Sequence, residues 1–251
     1  MASDPAAGWF VDPLGRHPMR YWDGTRWTEH VSAGGDVTSD PLPPDAPVPP
    51  PTLPAVLTEA LLVYEYAGPA AKGGWPVSDR EQRQIARVTV AGFGSSRREH
   101  RMLDAGGAPV LTVFYDSSGM LARTDQPLPV LGPSGTELGR FRGRLVGRSG
   151  FEYEVTAAGA PTGRMRVSVT DDAVTDAVIE DAAGQRVATI TQARERLSLF
   201  KVRASFTLDR GADLADPLRV LAVAAPLALH CDLDVREDMQ PGRRTWTPLG
   251  F

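Results

Sequence analysis

Four histidines, His17, His30, His100 and His230, and a single cysteine, Cys231, are the side chains best suited to proton transfer, metal ligation or nucleophilic attack. Their spacing serves none of these. No histidine pairs with a Cys or Asp at the intervals zinc sites use. His230 and Cys231 are adjacent, and neighbours in a strand point to opposite faces. There is no G-x-S-x-G, no P-loop and no G-x-G-x-x-G following a strand, and Gly92-Phe93-Gly94-Ser95-Ser96 lacks the rest of any phosphate motif. The sequence predicts a protein that is not an enzyme and carries no resident cofactor. With one cysteine, no internal disulfide is possible.

Residues suited to binding are more numerous. Arg140, Arg142 and Arg144 alternate with Phe141, Gly143 and Leu145, and Arg164 and Arg166 repeat the pattern. A period of two places the guanidiniums on one strand face, where they can pair with phosphates or stand as a solvated face. Near the N-terminus, Trp9, Tyr21, Trp22 and Trp27 lie within 19 residues. They form either a small aromatic core or a contact surface.

The elements that must position these groups are mostly hairpins. An apolar run, a small or acidic turn ending in glycine, and a second apolar run recur around Asp104-Ala105-Gly106-Gly107, Gly132-Pro133-Ser134-Gly135, Ala157-Ala158-Gly159 and Asp181-Ala182-Ala183-Gly184. About a dozen runs between Leu61 and Val235 read as strands, including Leu121–Asp125 and Leu229–Val235. So many antiparallel strands in order predict closure rather than an open sheet. The segment Asp216 to Leu229 differs: it is apolar on every side and reads as a buried helix. Asp216 is placed to cap it, Pro217 suits its first position, and Pro226 should kink or end it. Its span of about 20 Å is short of the ~30 Å core of a bilayer, so the helix is expected to thread through protein.

Charge is divided unevenly. Residues 1–76 hold 4 basic and 9 acidic side chains, and residues 77–251 hold 23 and 22. A near-neutral β domain lacks the basic footprint of a nucleic-acid binder. The start Met1-Ala2-Ser3-Asp4-Pro5 shows no signal peptide, and no apolar run approaches ~20 residues, which predicts a cytoplasmic protein. Three parts are expected: an aromatic β mini-domain over 1–31, a proline-rich linker over 32–56 that favours polyproline II, and a barrel over 57–251.

The first part, Gly8-Trp9 with Asp12-Pro13-Leu14-Gly15 and then Arg20-Tyr21-Trp22-Asp23-Gly24-Thr25-Arg26-Trp27-Thr28-Glu29-His30-Val31, resembles a short N-terminal domain of unknown function common in actinobacterial proteins. The third part, with its repeated hairpins, Ser205-Phe206-Thr207-Leu208, the helix from Pro217 and Cys231-Asp232-Leu233-Asp234, resembles the tubby C-terminal superfamily. It is most similar there to the phospholipid-scramblase and LURP-one-related group. That resemblance implies a closed barrel of about 12 strands around a central hydrophobic helix, and lipid-related roles. It implies contact between anionic phospholipid headgroups and basic side chains, for which Arg140, Arg142, Arg144, Arg164 and Arg166 are candidates. It also implies calcium at an acidic stretch before the helix, matched here by Asp209, Asp213 and Asp216. The expectation is a lipid-associated binding module at the inner membrane face. The alternatives are a protein-interaction adaptor using the mini-domain and proline tract, and, more weakly, a scramblase.

Overall fold

The computed structural model of the protein describes residues 5, 7–33, 35–43, 51–66, 74–91, 97–116, 126–146, 150–169, 175–198, 201–211 and 214–238. The N-terminal part is a four-stranded antiparallel sheet of β1 (Gly8–Val11), β2 (Met19–Trp22), β3 (Trp27–Ala33) and β4 (Asp36–Ser39), in that order. β4 lies in the stretch expected to be linker. A buried arginine extends the sheet: Arg20 donates from Nη1 to the Asp40 carbonyl and from Nη2 to Asp40 Oδ2, fixing the chain just beyond β4. A single helical turn, α1 (Ala55–Thr58), precedes the barrel and buries Val56 and Leu57 in its core.

Twelve strands then close into one antiparallel barrel. They are β5 (Leu61–Tyr66), β6 (Trp75–Ser78), β7 (Gln84–Ala91), β8 (Arg97–Asp104), β9 (Pro109–Asp116), β10 (Pro127–Leu131), β11 (Glu137–Val146), β12 (Gly150–Ala157), β13 (Ala160–Val169), β14 (Thr175–Asp181), β15 (Arg186–Ser198) and β16 (Lys201–Arg210). The ring closes through β16 with β5 and β9 with β10. Alternate side chains from all twelve strands point inward into one apolar core, with Tyr64, Val88, Met102, Phe141, Tyr153, Met165, Ile190 and Leu208 all below 3% exposed.

Of the strands expected from sequence, Leu121–Asp125 lies outside the described residues. Leu229–Val235 is helical, and β6 and the Pro127–Pro129 part of β10, which lay outside the expected runs, contain prolines. Those prolines lie next to thin seams: β5 pairs with β6, and β9 with β10, at two registered positions each. A proline cannot donate to a ladder, and sparse pairing is where it is tolerated.

The recurring glycine turns share one geometry. At Asp104–Ala108, Gly132–Thr136 and Asp181–Gln185, the first residue's N–H donates to the fifth's carbonyl, and the fourth's N–H donates back to the first's carbonyl. The fourth residue, Gly107, Gly135 or Gly184, has φ of +87°, +81° or +81°. That left-handed conformation disfavours a Cβ. Ala157–Ala160 is tighter, with Ala158 at +49° and Gly159 at +77° in a two-residue turn. Asp79–Arg83 repeats the five-residue form with Gln82 at +62° in the glycine position. Up-and-down order puts these five turns on the same rim of the barrel, the rim from which the final helix starts.

That helix, α2 (Leu218–Asp238), has 21 residues and passes Pro226 without ending. Leu221 through Cys231 are all buried, so the helix runs inside the ring of strands, as its all-round apolarity requires. Pro226 offers no N–H to the preceding turn, and its ring crowds the carbonyls there. The neighbouring Val223 carbonyl accepts a 2.8 Å hydrogen bond from the Tyr64 hydroxyl, so the barrel wall supplies a polar partner where the helix is weakest. Burial holds the Tyr64 phenol well above its ordinary pKa, and it stays a donor. No helix among the described residues is long and apolar enough to cross a membrane.

Candidate functional site

The motif residues of the N-terminal sheet serve its fold. Asp12 Oδ2 accepts the N–H groups of Arg16 and His17 at 3.1 and 3.0 Å, and Oδ1 accepts Arg20 Nε at 2.8 Å. Arg20 is fully buried and also donates to the Thr28 carbonyl. Burial opposes ionisation of Asp12, but Arg20 and the His17 and Leu14 amides outweigh it and hold the carboxyl below the usual range. The Asp-Pro-x-Gly and Arg-Tyr-Trp elements are therefore two halves of one buried ion-pair network.

The four aromatic candidates divide into two pairs. Trp22 and Trp27 are core: they are 5% and 6% exposed, edge-to-face at 5.5 Å, and the Trp22 indole N–H donates to the Pro5 carbonyl. Trp9 and Tyr21, registered opposite each other and 5.3 Å apart, are half-buried on the other face of the sheet. That face looks onto the barrel rim.

The arginine stripe is present, and it is compensated. On the outer face of the barrel, Arg142 is registered opposite Glu154, Glu154 opposite Arg164, and Arg164 opposite Glu180. One residue pair along, Arg144 faces Glu152 and Glu152 faces Arg166. Arg164 Nε is 2.6 Å from Glu180 Oε2, and Arg166 binds the other oxygen of the same carboxylate. Arg140 makes a bidentate pair with Glu137 at 2.6 and 2.7 Å. Cations and carboxylates alternate across the strands, the arrangement that stabilises neighbouring pairs in a sheet. The side chain of Arg144 lies outside the described set.

The acidic candidates are not shown together. Asp209 is exposed on β16, and Asp216 lies 3.6 Å from Arg219 Nε, an ion pair at the start of α2. Asp213 lies outside the described residues. Among the described residues, no three of His, Cys, Asp and Glu gather closely enough to hold a metal ion.

One pairing escaped the sequence reading. Cys231 Sγ lies 3.1 Å from His100 Nδ1, with Trp75, Tyr66 and His230 packed around the imidazole pair at centroid distances of 4.4 to 5.5 Å. Burial, with a lesser contribution from Arg98, pushes the His100 pKa down to about 4. Both members are 3% exposed or less, sealed by the barrel wall. The pair is packed as part of the core.

The structure's own candidate site is a cleft of about 660 Å³ between the N-terminal sheet and the α2 rim of the barrel. The sheet supplies Trp9, Phe10 and Tyr21; the segment ahead of β5 supplies Leu53 and Leu57; the start of α2 supplies Val220. The turns Asp104–Ala108 and Gly132–Thr136 close its sides. Among the described lining residues, the only charged ones are Asp104 and Asp216. Its size is that of a small-molecule or single-chain site, and its walls are mainly apolar.

Residues 7–51 match the model of a family described as a protein of unknown function, DUF2510. The matched stretch contains all four strands of the N-terminal sheet and most of the linker. No curated protein matches the chain. Among solved structures, an X-ray structure of a protein from Arabidopsis thaliana is similar at 14% identity over 70% of this chain and 96% of that one, with a TM-score of 0.28. A likeness that slight carries no inference about either fold or function.

Proposed function

We propose that the chain is a lipid-associated binding module that acts without covalent chemistry and takes the apolar part of its ligand into the cleft between sheet and barrel. The cleft is the observation that carries this reading: about 660 Å³ walled by Trp9, Phe10, Tyr21, Leu57 and Val220, opening where two parts of the chain meet. The closed twelve-strand barrel around an apolar helix is the architecture implied by the resemblance to the tubby and scramblase group, and lipid association is the role that resemblance carries. The proposal moves the contact away from the barrel wall. There, arginines already satisfied by Glu137 and Glu180 would have to break ion pairs to meet a phosphate. In the cleft nothing has to break, and the half-buried rings of Trp9 and Tyr21 supply the amphipathic surface that membrane interfaces favour. The working location is the face of a membrane, reached from the aqueous side.

Co-sedimentation tests this with vesicles of zwitterionic lipid alone and with added phosphatidylglycerol. Trp9→Ala combined with Tyr21→Ala is expected to abolish binding to both while the protein stays folded, as its far-UV circular dichroism checks. Arg142→Ala combined with Arg164→Ala should leave binding intact. Loss of binding with the arginine pair alone would return the contact to the barrel wall. No binding by the unaltered protein would end the reading.

A further inference from the structure

Both charged residues in the described lining of the cleft are acidic. Asp104 comes from the β8–β9 turn and Asp216 from the residue pair before α2, so the two carboxylates reach the wall from different elements. No Lys, Arg or His is among the described lining residues. Cations stand close to the lining: Arg87 Nη2 is 3.9 Å from where a Cβ on Gly107 would lie, in the turn that closes one side. Arg219 pairs with Asp216 at 3.6 Å, and its Nε donates to the Leu214 carbonyl at 2.7 Å; Arg210 donates to the Glu59 carbonyl. The positive end of the α2 dipole amounts to about half a charge, and Asp216 beside it offsets that. Asp104 keeps one oxygen engaged, accepting the Ala108 N–H at 2.8 Å.

We propose that the cleft binds an amphiphile whose apolar chain carries a cationic head, an amine or a quaternary ammonium. Charge complementarity selects this occupant. An anion would enter an apolar space facing the Asp104 carboxylate, with Asp216 already held by Arg219, and low dielectric strengthens the repulsion from Asp104. A cation finds carboxylates in the lining, and Trp9 and Tyr21 add aromatic rings to the same cleft, the two kinds of group that ammonium sites use. The inference rests on the cleft reading above and deepens it: the apolar walls take the chain, and the carboxylates choose the head.

The test uses three amphiphiles with the same dodecyl chain, each below its micelle concentration, titrated into the full chain by calorimetry. They are dodecyltrimethylammonium, dodecyl maltoside and dodecanesulfonate. The ammonium is expected to bind at least tenfold more tightly than the sulfonate, with the maltoside between them. Asp104→Asn plus Asp216→Asn should bring the three affinities together. The asparagine retains the oxygen that accepts the Ala108 N–H; Asp216→Asn alone, and the salt dependence of the unaltered protein, give the same answer should the double variant misfold. Equal affinities, or tightest binding by the sulfonate, would overturn the charge assignment while leaving the cleft as an apolar site. Failure of all three to bind would remove the cleft reading and this inference together.

Discussion

His100 is the residue at which chemistry and fold meet most directly. Its imidazole is kept neutral inside the barrel beside Cys231, with a pKa of about 4 against 6.5 for a free side chain. Between those values the unfolded chain binds a proton that the folded chain refuses, so stability falls as pH drops through that window. The loss from this group is on the order of 3 kcal/mol. Urea denaturation at pH 7 and pH 4.5 should show it, and His100→Asn should flatten that part of the slope. Gln82 makes a second residue-scale case. It occupies, at φ +62°, the place that Gly107, Gly135 and Gly184 fill in the sister turns. Gln82→Gly is expected to raise stability by about 0.5 kcal/mol, the left-handed strain relieved less the entropy that glycine adds to the unfolded state. The same substitution explains why this turn was invisible in the sequence: the signal was the glycine, and here it is missing.

Between elements, the tightest constraint is where α2 meets β11. A Cβ on Gly139 would lie 2.4 Å from the Thr156 carbonyl oxygen and 2.9 Å from Leu221 Cδ2, so this glycine sets how closely helix and wall approach. Gly139→Ala should destabilise the protein by roughly 1–3 kcal/mol, read from the urea midpoint. Adding Leu221→Val should recover little of that, because the carbonyl remains in the way. At this scale the sequence was legible wherever alternation or all-round apolarity held, as in β11, β13 and the first half of α2. It was misread where proline hid strand residues, at Trp75–Ser78 and Pro127–Pro129, and where an apolar run had no period, so that Leu229–Val235 passed for a strand. Trp9 and Trp22 could not be told apart either. They sit on neighbouring strands, and β2 buries Met19 and Arg20 in succession, which breaks the alternation that would have separated the faces.

Across the whole molecule, the site consists of parts that no local pattern connects. Its walls come from β1, β2, the segment before β5, two hairpin turns and the start of α2, separated by up to about two hundred residues of chain. Each wall has a local structural reason of its own: edge-to-face rings at Trp9 and Tyr21, a left-handed glycine at Gly107 and at Gly135, an ion pair at Asp216. Closure of the barrel brings the rim walls together, and the Arg20 network holds together the sheet that faces them. A ligand there must therefore couple the sheet to the rim. At one hundred times its dissociation constant it should add about 2.7 kcal/mol of stability. Hydrogen exchange with saturating dodecyl maltoside should slow together in β1, in Asp104–Ala108 and in Gly132–Thr136. The turn Asp181–Gln185 has the same geometry on the same rim but does not line the cleft, so it should exchange at its unliganded rate. Slowing confined to β1 would show that the sheet binds alone and that the barrel rim is not a wall of the site.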